Sequence, residues 1–210
     1  MRRRWIVVAF LAALVAGCSS GGGPKPSPSD LLGQAQVGEF QGAGLRPPQP
    51  RPSFTLLDTS GKTFAFGTRT AGHPTLLFFG YTNCPDVCPE TMADVRLALN
   101  NVPASVVRRT YVVFVTTDVK RDTAGVLRTW IGQFARGIPA HWVGLRGTQA
   151  QIDAAQAAAH ITIAQDGGQT HSAQVLLYGP DDYAHVSFLQ SSDEQERMAH
   201  DLKIVADTPA

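Results

Sequence analysis

Two uninterrupted apolar runs, TLLFFGY (75–81) and TYVVFVTT (110–117), constrain the fold most. Each is rich in β-branched and aromatic residues and too short to cross a membrane. A strand with only one buried face alternates apolar and polar residues, so a continuous run predicts a central strand covered on both faces. Each run leads into helical spacing. Met92, Val95 and Leu99 recur along Glu90 to Asn100, and TAGVLRTWIGQFA (123–135) follows Asp122 or Thr123 as its N-cap. HWVGL (141–145) reads as a further strand and TQAQIDAAQAAAH (148–160) as an alanine-rich helix. SFTLLD and KTFAF flank the turn Asp58 to Gly61, and AQVLLYG (173–179) and AHVSFL (184–189) flank Pro180-Asp181-Asp182; each pair predicts a hairpin. SDEQERMAHDLKIVA (192–206) closes as an amphipathic helix capped by Ser192 or Asp193. The order hairpin, βαβαβα, hairpin, helix predicts an α/β fold: a mixed sheet flanked by helices, with an N-terminal β-hairpin extension.

The N-terminus reads as a targeting segment. MRRRW supplies positive charge, IVVAFLAALV is apolar but shorter than a membrane-spanning helix requires, and LVAGC sets small residues before Cys18. The combination resembles a bacterial lipobox. Residues 1–17 are then a lipoprotein signal peptide, and Cys18 is the lipidated first residue of a protein anchored on the extracytoplasmic face of the bacterial cell membrane. Residues 18–51, with SSGGGPKPSPSD and GLRPPQPRP, read as a Gly/Ser/Pro-rich tether, and residues 52–210 as the folded domain. The chain has 18 basic and 17 acidic residues; removing Arg2, Arg3 and Arg4 with the leader leaves 15 against 17. Such a balance gives no support for a nucleic-acid partner.

With Cys18 lipidated, the domain keeps one cysteine pair, Cys84 and Cys88, at the junction of its first βα unit. That junction is the place of the cysteines in thioredoxin-like proteins. The pair admits three roles: a structural staple, a redox couple or two metal ligands. A loop this short gives little chain-entropy stabilisation, which argues against a staple. Pro89 suits the first helical position, which puts Cys88 at or near the N-cap, where the helix dipole favours thiolate. Thiolate serves thiol–disulfide exchange and metal ligation alike. The spacing has three intervening residues where redox pairs of the thioredoxin type have two, and the slack lets both sulfurs face one ion. Soft thiolates favour Cu(I), zinc and iron–sulfur clusters. Of the six histidines, His171 stands apart, because it ends the Gly-rich loop DGGQTH as the chain enters a buried strand. A loop running into a rigid strand can carry a ligand to a metal, although residue chemistry alone does not assign His171 that role.

FFGYTNCPDVCPETM resembles the signature of the Sco/SenC family of thioredoxin-like, extracytoplasmic copper-binding proteins. FTLLDTSGKTFAF before it, and VVFVTTDVKRDT and THSAQVLLYGPDD after it, follow in the family order, so the resemblance spans roughly residues 50–205. It implies that Cys84, Cys88 and His171 bind one copper per domain, as Cu(I) or Cu(II). It further implies that the protein delivers copper to, or prepares the cysteines of, the dinuclear copper centre of cytochrome c oxidase. The partner is then the copper-centre subunit, or another copper or thiol protein of the envelope. Asn83 stands where many members have His, and Val119 stands where proline often follows the family's aspartate.

Asp118 follows a predicted buried strand and should lie on the same sheet edge as the cysteines; it reads first as a turn or cap residue, with support of the metal site, without binding the ion, as the alternative. Tyr81 reads first as a buried strand aromatic, with packing near the site as the alternative. Four readings remain in competition. One is a copper carrier, with zinc as the rival ion for a Cys₂His set. Another is a membrane-anchored thiol–disulfide oxidoreductase in which Cys84 and Cys88 are redox-active. The others are a peroxidase, for which no separate resolving cysteine is present, and an interaction domain with a structural disulfide.

Overall fold

The computed structural model describes residues 39–209. The expected leader, Cys18 and most of the expected tether lie outside the described residues. The described chain forms an eight-stranded mixed sheet in the order β1-β8-β7-β4-β5-β6-β2-β3. The strands are β1 (Ala43–Pro50), β2 (Thr55–Asp58), β3 (Thr63–Ala65), β4 (Thr75–Gly80), β5 (Tyr111–Thr116), β6 (His141–Arg146), β7 (Val175–Tyr178) and β8 (Tyr183–Phe188). The helices are α1 (Phe66–Thr70), α2 (Val87–Asn100), α3 (Ala104–Arg109), α4 (Ala124–Ala135), α5 (Gln149–Ala158) and α6 (Glu194–Ala206).

β4, β5 and β6 run parallel, and β7 lies antiparallel against β4. The two apolar runs are therefore adjacent central strands, and every residue of β4 is buried. Their side chains divide by the period of two. Leu76, Phe78, Val112 and Phe114 face a core shared with α2, α4 and α6, whereas Leu77, Phe79, Val113 and Val115 face a second core with Ile152 and Ala155 of α5. Helices on both faces explain why neither run alternates.

Both hairpins form as expected. Asp58 accepts the Gly61 amide at 3.0 Å, and Gly61 takes φ +81°. The β2–β3 hairpin adds to the sheet beyond β6. Thr123 caps α4 by accepting the Val126 amide, and Thr148 and Gln151 form a capping box on α5.

The structure corrects four expectations. Residues 43–50, read as tether, form edge strand β1 against β8. The prolines that suggest a spacer sit where an edge strand tolerates them, since an edge leaves N–H groups unpaired. Arg51 then locks the segment: its guanidinium, 2% exposed, donates to Thr70, Thr75, the His73 and Gly179 carbonyls and Asp182. Second, α2 begins at Val87 with Asp86 as N-cap, so Cys88 is the second helical residue and Pro89 the third. Third, the short helices α1 and α3 were not anticipated, being too brief for a periodic signal. Fourth, Asp193 occupies the N-cap of α6 but makes no capping hydrogen bond with its side chain. Among the described residues no helix is long and apolar enough to cross a membrane.

Candidate metal centre

Three segments distant in sequence meet beyond the carboxyl ends of β4 and β5. Residues 81–88 carry both cysteines out of β4, residues 117–122 leave β5, and the Gly-rich loop 165–170 delivers His171. Ligands of open α/β sheets gather at this edge. One ligand atom each from Cys84, Cys88 and His171 lies within 4.8 Å of the other two, the one such group of His, Cys, Asp or Glu among the described residues. Both cysteines are free thiols; Cys84 is half-buried and Cys88 fully buried.

Small residues make room for this convergence. A Cβ on Gly80 would lie 2.8 Å from the Cys88 sulfur and 3.2 Å from Phe114, so only glycine lets the sulfur settle against the strand end. Gly168 is more restricted. It has φ +98°, and a Cβ there would come 1.9 Å from the Thr117 carbonyl oxygen. The Thr117 hydroxyl donates to the Gly168 carbonyl at 2.6 Å. The histidine loop is thus fastened to the end of β5 by a contact that admits no side chain.

Asp122 holds the cysteine loop. Fully buried, it accepts from the Thr82 amide at 3.0 Å, the Thr82 hydroxyl at 2.6 Å and the Thr116 hydroxyl at 2.5 Å. The sequence offers Asp122 only as a possible helix cap; its signal is the second acid in DVKRD, which a strand end followed by a cap does not require. Asp118, 3% exposed, accepts the backbone amide and the guanidinium Nε of Arg121. It lies at the expected sheet edge, with its carboxylate engaged by Arg121.

The electrostatics differ among the three groups. The first-turn amide of Cys88 points at the Cys84 sulfur, 3.4 Å away, so the helix N-terminus faces Cys84 instead of Cys88. Burial, the main cause, pushes the Cys88 thiol well above its ordinary value, and the neighbouring Cys84 adds to the shift. Burial lowers the His171 imidazole, favouring the neutral ring, with an opposing contribution from the Ser172 carbonyl. That carbonyl accepts from His171 Nδ1 at 2.9 Å, which puts the proton on Nδ1 and the lone pair on Nε2. Nε2 lies 3.3 Å from the Cys88 sulfur. The thiol therefore donates to the imidazole, and its proton lies between two atoms that a soft metal would bind.

The donor set fits a thiophilic ion. Two sulfurs and one neutral imidazole nitrogen converge, and the half-buried Cys84 marks the side from which an ion enters or leaves. Tyr81, 8% exposed, stands perpendicular to His171 with ring centroids 5.5 Å apart, and Phe78 lies 6.2 Å from the same ring. Burial, and then the adjacent Cys84, raise the Tyr81 phenol.

Comparison with known proteins places this arrangement. A copper-bound structure of Bradyrhizobium japonicum ScoI is 28% identical and superposes with a TM-score of 0.60 over 74% of this chain and 99% of that one. The shared fold is thioredoxin-like. A Stutzerimonas stutzeri protein, provisionally named as copper-binding, is 31% identical over 159 residues, 72% of each chain. A SCO2-like protein of Rickettsia prowazekii is 32% identical over 99 residues, 45% of its own length. The sequence model of SCO1/SenC matches residues 44–207, which carry both strands of the central pair, both cysteines and the histidine. The chain therefore belongs to the SCO1/SenC family.

Proposed function

We propose that this protein is an extracytoplasmic copper-binding chaperone. Its cargo is one copper ion held by Cys84, Cys88 and His171, for delivery to, or preparation of the cysteines of, the dinuclear copper centre of cytochrome c oxidase. The observation that carries the reading is the convergence of two sulfurs and an imidazole nitrogen within 4.8 Å. The copper-bound relative and the family membership support the choice of copper over zinc, and the resemblance of the family supports the oxidase as destination. Two thiolates suit Cu(I), and the imidazole extends the set to Cu(II). Lipidation at Cys18 would anchor the domain on the outer face of the cell membrane, within reach of a membrane-embedded acceptor.

The residues divide the work. Capture displaces the Cys88 proton now shared with His171 Nε2. Neutral His171 needs no deprotonation, because its proton is held on the other nitrogen by the Ser172 carbonyl. Transfer begins at Cys84, the more accessible sulfur, where an acceptor thiolate can replace it before the buried ligand is reached. The same asymmetry favours a second reading, a membrane-anchored thiol–disulfide oxidoreductase in which Cys84 attacks and Cys88 resolves.

Titration of the reduced protein with Cu(I) and Cu(II), beside Cys84→Ser, Cys88→Ser and His171→Ala, tests the proposal. The expected result is one tightly bound copper, lost with either cysteine, and a larger loss of Cu(II) than of Cu(I) in His171→Ala. Absence of copper binding by the reduced protein overturns it. Copper-independent reduction of a disulfide substrate, abolished by Cys84→Ser, supports the second reading.

A further inference from the structure

We infer that Asp118, Arg121 and Tyr81 form a positioning chain that fixes the His171 ring and so sets the preference of the centre for Cu(II) relative to Cu(I); the inference rests on the copper reading above. The ring is anchored unevenly. Among the described residues its hydrogen bonds are to the Ser172 carbonyl through Nδ1 and to the Cys88 sulfur through Nε2. The first fixes the tautomer, and the second disappears once a metal takes the proton's place. Orientation of the ring plane then falls to packing. Phe78 comes from the rigid core strand β4. Tyr81 comes from the cysteine loop, one residue past that strand, and stands at 88° to the imidazole.

Tyr81 in turn needs a backing. The Arg121 guanidinium lies over its ring, 6.0 Å from the centroid. The Arg121 side chain is 47% exposed, so its own burial does not hold it there. Asp118 does: its buried carboxylate takes both the Arg121 amide and Nε, a two-point grip that aims the guanidinium at Tyr81. This gives the buried Asp118 a role at the site although its carboxylate is engaged by Arg121. A half-exposed cation–π contact of this kind shifts an equilibrium by about 2- to 5-fold. That suffices to bias a ring orientation and is too little to hold the fold together. Cu(I) is content with two thiolates, whereas Cu(II) draws on the imidazole, so loosening the ring weakens Cu(II) selectively.

The test uses Arg121→Ala, Arg121→Lys, Tyr81→Leu and Tyr81→Phe, with two measurements. In the metal-free protein, nuclear magnetic resonance of the His171 ring carbons reports its orientation. Both Arg121→Ala and Tyr81→Leu should shift and broaden those signals, while the His185 ring signals stay in place. In the copper-loaded protein, Cu(II) affinity should fall about 3-fold in Arg121→Ala and about 10-fold in Tyr81→Leu, with Cu(I) affinity within about 2-fold of the parent. Tyr81→Phe, which retains the ring, should recover most of the loss, and Arg121→Lys, which lacks the planar fork, should recover little. Unchanged His171 signals, or equal losses for Cu(I) and Cu(II), overturn the inference. Failure of the parent protein to bind copper overturns the copper reading and leaves the ring signals to judge the positioning chain.

Discussion

The sulfur of Cys88 lies 3.3 Å from Nε2 of His171, a residue 83 positions downstream. The two share one proton beyond the carboxyl end of the central strands. This pairing makes binding of a soft ion a competition with that proton, and it governs how the centre should respond to pH.

Copper affinity should rise with pH through the neutral range. Burial raises the Cys88 thiol, so at neutral pH the sulfur is protonated and each ion bound must release a proton. Below the raised value the competition costs up to about tenfold in apparent affinity per pH unit for each proton released. Burial shifts His171 the opposite way, toward the neutral ring, so its competition weakens where that of Cys88 persists. Chelator competition from about pH 6 to about pH 8, with proton release followed in parallel, checks this; a flat profile contradicts it.

Gly168→Ala should uncouple the histidine from the cysteines. The new methyl group would sit 1.9 Å from the Thr117 carbonyl oxygen, at a φ of +98° that an alanine adopts poorly. Backbone must move, so the loop lifts from the end of β5. The expected outcome is a stability loss of about 1–3 kcal/mol in urea unfolding and a Cu(II) affinity like that of His171→Ala. Gly167→Ala, at φ +69° with open space around its Cβ position, should lose stability and retain Cu(II) affinity better.

Asp122→Asn should loosen the cysteine loop. The carboxylate accepts from the Thr82 amide and from two hydroxyls, Thr82 and Thr116, and an amide group offers one acceptor oxygen in its place. Leaving a buried donor unmatched costs about 1–3 kcal/mol. Urea unfolding should show that loss, and Cys84 should react faster with a thiol reagent, since Thr82 stands two residues before it.

Arg51→Met should destabilise the domain by about 2–3 kcal/mol, a value discounted because its ionic partner Asp182 is half exposed. The side chain fills the space, but five hydrogen-bonding partners lose their donor. A chain starting at residue 52 should fall further in melting temperature than one starting at residue 39, because it also lacks β1. Equal melting temperatures for the two chains would restore the tether reading of residues 43–51.

Much of the fold was legible because its signals are local. Continuous apolar runs mark strands covered on both faces, the Met92, Val95, Leu99 spacing marks α2, and the turn residues at Asp58–Gly61 mark a hairpin. β1 is not legible in the sequence, for a physical reason. Its sequence, AGLRPPQP, has the composition of a spacer, and what makes it a strand is a partner, β8, more than 130 residues away. The short helices α1 and α3 gave no periodic signal.

The candidate site divides in the same way. By themselves, the residues determined that a thiol pair lies at the first βα junction, with three residues between the sulfurs and a histidine at the end of a glycine-rich loop. Tertiary structure alone decided which thiol is buried and which is presented. It placed the helix amide on Cys84, the proton between Cys88 and His171, and Asp122 beneath the loop. Those outcomes depend on solvent exclusion and on distances between segments that only packing brings together, and no local pattern of residues encodes either.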